Sequence, residues 1–316
     1  MGDEAVQSTN DDASQCKRFA VQKGYWKDPY LQYLVRSGDR RAPEINRGYF
    51  ARVRGIKVLL DQILEKTKCS CQVVNFGAGF DTLFWKLKDE NKLPDIIVDF
   101  DFRAVTSRKC QYVKVRPPLL DLVKAVSGSE AVQIENAELH SPKYHIMWAD
   151  LRNTSQIESK LRGIANFDFS KPTVFITECV LVYLQPDKSS QLIKWAAESF
   201  ANSVFINYEQ VHMSDKFGQV MVSNLRGRRC ELEGIAPCQD LDTQKLRFVS
   251  NGFDDAVAME MGEVYRYLPA DEVHRVERLE FLDETELLNQ LLQHYCLCWA
   301  WKDKDQIGLD NLHVKT

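Results

Sequence analysis

What the sequence lacks narrows its class first. No apolar run in the 316 residues approaches the ~20 needed to span a bilayer, so no membrane role is expected. The start, MGDEAVQSTNDDAS, has neither the basic and apolar stretches of a signal peptide nor the arginines of a transit peptide. Val6 stands where a myristoylation signal after Met1-Gly2 wants Ser or Thr. Histidine is sparse. His140, His145, His212, His274, His294 and His313 form no pattern with an acid or a cysteine, so none is expected to be catalytic. Neither charge dominates: 41 Lys and Arg against 45 Asp and Glu leave −4, and no nucleic-acid partner is expected. There are no repeats or low-complexity tracts. The nine cysteines are odd in number and lack a secretory signal, which points to reduced thiols and a cytoplasmic setting. Cys69-x-Cys71 and Cys296-x-Cys298 are spaced more tightly than the pairs of zinc ribbons, so they read as structural cysteines and no metal site is expected.

What is present is ordinary in amount, with 44% hydrophobic and 27% charged residues. The length suits one large domain with an insertion. Residues 1–13 are polar and acidic and are expected as a disordered tail. Residues 14–66 form a helical lobe: an aromatic stretch (Phe19, Tyr25, Trp26, Tyr30, Tyr33), a break at Pro43, then a helix in which Ile45, Tyr49, Val53, Ile56, Leu59, Leu60 and Ile63 recur at helical spacing. Arg36, Arg40, Arg41, Arg47, Arg52, Arg54 and Lys57 stand there against only Asp39 and Glu44, and are expected either to attract an acidic partner or to form a solvated face.

From Gln72 strands and helices alternate. QVVNF, DIIVDF, YHIMWA, TVFITE and SVFINYE read as strands, with helices between them and a variable stretch over about 116–142. Strands apolar on both sides imply an α/β fold with a parallel sheet covered on both faces. An insertion over about 211–270 reads as largely helical. RVERLEF then reads as a strand, DETELLNQLLQHY as a helix with Asp283 as its N-cap, and YCLCWAWKD as a last strand inserted antiparallel, for seven strands in all.

Four strand ends carry chemistry. The first turns through Gly77-Ala78-Gly79, where backbone without side chains admits close approach of a ligand. The second ends in Asp99-Phe100-Asp101, the third in Asp150, the fourth in Glu178. Ligands of open parallel sheets sit at such ends. Asp101 follows Gly79 by 22 residues, a distance that suits a ribose-binding carboxylate, with Asp99 as the alternative or as a structural partner. A dinucleotide site wants a third glycine where Thr82 stands, to bring a helix N-terminus to the pyrophosphate. S-adenosylmethionine has no phosphate, and its amino and adenine ends suit Glu178 and Asp150. Methyl transfer is therefore favoured over hydride transfer.

The segments APEINRGYFARV, NFGAGFDT, ADLR, ECVLVYL, INYEQV, FGQVM and HYCLCWA together resemble the leucine carboxyl methyltransferases, over nearly the whole chain from Ser14. The resemblance implies a class I S-adenosylmethionine-dependent methyltransferase, Rossmann-like, with added helical elements, acting on the C-terminal leucine α-carboxylate of the protein phosphatase 2A catalytic subunit; the oligomeric state is open, with monomer the default expectation. It implies cofactor contacts at Lys17, Arg52, Gly77, Asp101, Asp150, Leu151 and Glu178, with Gly79 in the same turn. On that basis Lys17, Tyr183 and Tyr208 are candidates to meet the phosphatase tail. Relatives of the family modify a tRNA base, and a binding protein that only shields the tail is a third alternative. A terminal carboxylate ionises at a pKa of ~3.3–3.7, so no general base is expected.

Overall fold

The computed structural model describes residues 3–128 and 131–315. Helices α1 (Asp3–Gln22), α2 (Leu31–Leu34) and α3 (Pro43–Lys66) precede strand β1 (Gln72–Phe76). Next come α4 (Leu83–Asp89), β2 (Ile96–Asp101), α5 (Arg103–Val115) and α6 (Pro117–Ala125). The hairpin of β3 (Gln133–Glu135) and β4 (Glu138–His140) leads into β5 (Tyr144–Trp148). The alternation continues through α7 (Thr154–Arg162), β6 (Thr173–Glu178), α8 (Pro186–Ser199) and β7 (Asn202–Gln210). After β7 lie α9 (Lys216–Gly227), α10 (Leu241–Val249), β8 (Asp255–Glu260), α11 (Met261–Tyr267), α12 (Ala270–Glu277), α13 (Thr285–Gln293) and β9 (Tyr295–Asp303).

All strands join one sheet in the order β3-β4-β5-β2-β1-β6-β7-β9-β8. The five from β5 to β7 run parallel, and β9 lies antiparallel between β7 and β8. Strand alternation divides the core in two. Val73, Ile97, Ile176 and Ile206 face one helical layer, while Val74, Val98, Phe175 and Phe205 face the other. On the second face Phe76, Phe175 and Phe205 stack on neighbouring strands with centroids 5.7 Å apart at each step. The chain leaves β1 for β2 and β5 on one side, then returns to β6 and β7 on the other. The switch between β1 and β6 opens a crevice at their carboxyl ends.

The class I arrangement with an antiparallel last strand is present, and the β3-β4 hairpin extends it at the β5 edge. Several local expectations are corrected. The segment 1–13 is helical from Asp3 onward rather than a disordered tail, while Met1 and Gly2 lie outside the described residues. Pro43 starts α3 instead of only breaking the chain, because its fixed φ and missing N–H suit the first helical position. RVERLEF is the end of α12 and an irregular stretch. The strand expected there is β8, inside the stretch read as largely helical. Its Ala, Met and Glu favour helix, and pairing with β9 overrides them. Glu284, not Asp283, caps α13, without a side-chain hydrogen bond. Much of the basic lobe is engaged within the protein, though only part of it by acids. Arg47 donates to the carbonyls of Glu277 and Glu280, Arg54 grips Glu272 at 2.7 Å, and Lys57 meets Asp61 and Glu90. No helix among the described residues is long and apolar enough to cross a membrane.

Candidate active site

β1 leaves the sheet through Gly77 and Gly79, both left-handed with φ of 64° and 51°. The turn has no room for side chains. A Cβ on Gly77 would lie 2.5 Å from Val180 Cγ2, and one on Gly79 would press closer still on Asn10 Oδ1. Asp101 at the end of β2 faces this turn. Its Oδ2 accepts the Gly79 N–H at 2.6 Å and its Oδ1 accepts the Phe102 N–H at 2.7 Å. Burial pushes its carboxyl up to about 6, against the pull of those two N–H groups. Asp99 lies on the same strand but belongs to the interior. It accepts Lys109 Nζ at 2.7 Å and Tyr144 Oη at 2.6 Å, which leaves Asp101 as the carboxylate facing the crevice.

Glu178 ends β6 at a junction of charges. Its Oε2 accepts Arg52 Nε at 2.6 Å and Lys17 Nζ at 3.0 Å. Burial works to raise this carboxyl, but Lys17 and Arg52 outweigh it and hold it well below the usual range. Arg52 comes from α3 and Lys17 from α1, so two N-terminal helices converge on one strand end. At the end of β5, Asp150 accepts Arg152 Nε at 2.8 Å, and the same guanidinium reaches Asp3 on α1 at 2.9 Å. Burial raises the Asp150 carboxyl less than Arg152 lowers it.

Lys17, Arg52, Gly77, Gly79, Asp101, Asp150, Leu151, Glu178 and Tyr183 all line one cavity of about 450 Å³. Tyr208, expected at the acceptor, does not line it. Its ring is buried, stacked 5.2 Å from Tyr295 and 4.7 Å beneath the Arg52 guanidinium, so it supports Arg52 from below. A second cavity, of about 970 Å³, lies between α3, α4 and residues 24–29, and shares Lys17, Asp81 and Glu178 with the first. No histidine is among the described residues lining the first cavity. The described residues contain no group of three His, Cys, Asp or Glu side chains that could hold a metal.

Sequence reasoning missed the roof. Helix α1 crosses the crevice mouth, where Asn10 Oδ1 accepts the Phe80 N–H at 3.1 Å. Asp3, Asp11 and Asp12 on that helix pair with Arg152, Arg108 and Arg228. The available signal was Asp3 and Glu4 in the first turn, where acids suit the positive helix end. The arginines that fix the helix stand 149, 97 and 216 residues away in sequence, beyond any local pattern.

A glycine turn, an acid that faces it and two cations on a strand-end glutamate thus share one cavity. A family model described as Leucine carboxyl methyltransferase matches residues 5–197. The chain belongs to the leucine carboxyl methyltransferase family. Leucine carboxyl methyltransferase 1 of Rattus norvegicus is 50% identical over 311 residues, covering 98% of this chain and 93% of that protein. The Arabidopsis thaliana homolog is 38% identical, covering 95% and 90%. The human tRNA wybutosine-synthesizing protein 4 is 36% identical over 94% of this chain, which spans 44% of that protein. The family member described here is a methyltransferase.

Proposed function

We propose that this enzyme transfers a methyl group from S-adenosylmethionine to the C-terminal leucine α-carboxylate of a protein phosphatase 2A catalytic subunit. The product is a methyl ester that regulates assembly of the phosphatase holoenzyme. The observation that carries the reading is the Glu178 junction, where two cations converge beside a ribose-facing Asp101 in a cavity of about 450 Å³. The donor set suits this cofactor. The close-packed glycine turn leaves backbone for contact, Thr82 stands where a dinucleotide site wants its third glycine, and Asp101 faces the turn with oxygens that ribose hydroxyls could reach. Nine unpaired cysteines agree with a cytoplasmic setting, and monomer is the proposed working state.

When bound, S-adenosylmethionine supplies an electrophilic methyl on a sulfonium. In this reading Asp101 accepts hydrogen bonds from the ribose hydroxyls, and Asp150 and Leu151 border the adenine. Glu178 receives the donor's amino group. Arg52 and Lys17 orient carboxylates, the first that of the donor and the second that of the tail. Tyr183, on the acceptor side, contacts the tail. The acceptor oxygen is already an anion at neutral pH, so no side chain removes a proton. The protein's work is alignment and exclusion of water, and alignment alone is worth up to ~7–11 kcal/mol. The test is incubation with methyl-labelled donor and the phosphatase catalytic subunit, with tRNA offered as acceptor in a parallel reaction. Label that disappears when the terminal leucine is deleted supports the reading. Label that persists without that leucine, or that goes instead to tRNA, overturns it.

A further inference from the structure

The acceptor side of the cavity is held by a buried pair that touches neither donor nor tail in the reading above. Tyr183 sits on a one-turn 3-10 helix, Leu181–Tyr183, just after β6. Its backbone is gripped from both sides. Glu209 Oε2, on β7, accepts the Val182 N–H at 2.8 Å, and the Val182 carbonyl accepts the Gly234 N–H at 2.8 Å. Gly234 fits where no side chain does, since a Cβ there would stand 2.5 Å from the carbonyl oxygens of both Leu181 and Leu184.

Glu209 is fully buried, and its other oxygen has no hydrogen-bond partner among the described residues. Its countercharge is Arg247 on α10, no closer than 3.9 Å, and none of the three guanidinium nitrogens makes a hydrogen bond. An ion pair serving only to hold β7 to α10 would close into the two-pronged geometry that arginine and carboxylate favour. Here the carboxylate is turned to a backbone N–H instead, and the arginine stands off.

We infer that Glu209 is a positioning residue for methyl transfer: it fixes the turn that presents Tyr183 to the acceptor, with Arg247 supplying the countercharge. The inference rests on the reading of Tyr183 as a contact of the tail. It is tested with Glu209→Ala, Glu209→Gln, Gly234→Ala and Tyr183→Phe, using the phosphatase catalytic subunit as acceptor. Glu209→Ala is expected to raise the acceptor KM about tenfold, the scale of one lost hydrogen bond to a charged group, and to leave the donor Kd within about twofold. Glu209→Gln keeps an oxygen for the Val182 N–H and is expected to recover most of the loss. Gly234→Ala disturbs the same turn without touching the buried charge, and is expected to show the same split between acceptor and donor. This variant reads the turn even if Glu209→Ala does not fold. In a Tyr183→Phe background the Glu209→Ala effect is expected to shrink to about twofold or less, because coupled residues are not additive. Losses that multiply instead, with Tyr183→Phe itself impaired, overturn the role of Glu209 alone. Tyr183→Phe with an unchanged acceptor KM overturns the reading of Tyr183, and this inference with it.

Discussion

The two walls of the cavity are built on different physical terms. The sheet wall carries its two central strand-end acids bonded within the core: Glu178, 14% exposed, holds Arg52 and Lys17, and Asp101 holds the glycine turn, while Asp150 at the end of β5 is as exposed as the roof. The roof, α1, is held at its near end by pairs of exposed side chains, with Arg152 and Asp3 at 42% and 41% and Arg108 and Asp11 at 46% and 40%. Exposed pairs contribute about 0–1 kcal/mol each and are screened by salt, whereas breaking a buried pair costs about 3–5 kcal/mol. The wall is thus a fixed template, and the roof is the part of the site that conditions can loosen.

The largest break in that contrast is Glu178→Ala. It leaves Lys17 and Arg52 buried without their carboxylate, and is expected to cost about 3–5 kcal/mol of stability in thermal or denaturant unfolding and to abolish donor binding. An unfolding midpoint equal to that of the parent would place Glu178 outside the template.

Acidity sharpens the wall further. Asp101, raised by burial to about 6, is ionised above that pH and protonated below it in the unliganded protein. Ribose hydroxyls donate to the ionised form, so donor affinity is expected to be level above about pH 6 and to fall as pH drops below it, approaching about tenfold per unit. Glu178 and Asp150 are held low by their cations and stay charged over that range, so of the three strand-end carboxyls only Asp101 titrates there. A matching loss absent from Asp101→Asn assigns the change to it rather than to Glu209, which burial pushes up to about 7. Affinity that is flat from pH 7 to 5 would remove Asp101 from the donor site.

The roof is expected to give less. Arg108→Ala combined with Arg228→Ala, which frees Asp11 and Asp12 and leaves the Asp150–Arg152 pair intact, is expected to weaken donor binding about threefold at low salt and hardly at all at high salt, with faster amide exchange in α1 and no change in β1 or β6. A loss as large as that of Glu178→Ala, or one indifferent to salt, would make the roof part of the template. The smallest effect lies outside the cavity. Arg40 and Arg41 meet no acid among the described residues, unlike Arg52, Arg54 and Lys57. Reversing both charges is expected to slow association with the proposed phosphatase acceptor a few-fold at low salt, by loss of steering. Unchanged association in stopped-flow measurements would remove this patch from the encounter.

The same contrast decides what was legible in the sequence. The sheet wall was legible because each of its residues sits at the end of an apolar strand, where a local pattern announces it: Gly77 and Gly79 after QVVNF, Asp101 after DIIV, Glu178 after TVFIT. The choice between Asp99 and Asp101 was not, because both project to one side of β2. Lys109 on α5 and Tyr144 on β5 settle it by claiming Asp99. The roof was illegible for a related reason. Its sequence is acidic and poor in apolar residues, which alone reads as disorder, and the arginines that order it come from three distant elements. Tyr208 was misassigned because a tyrosine near a strand end looks the same whether it faces the cavity or underlies Arg52. β8 escaped because its helix-forming residues are drawn into a strand by β9.

The central claim is that the strand ends hold the methyl donor. Calorimetric titration of S-adenosylmethionine into the parent enzyme and into Asp101→Ala tests it most directly. The account expects saturable binding for the parent and no measurable binding for the variant, with both proteins folded by circular dichroism. A folded Asp101→Ala protein that binds the donor with the parent's affinity would contradict it.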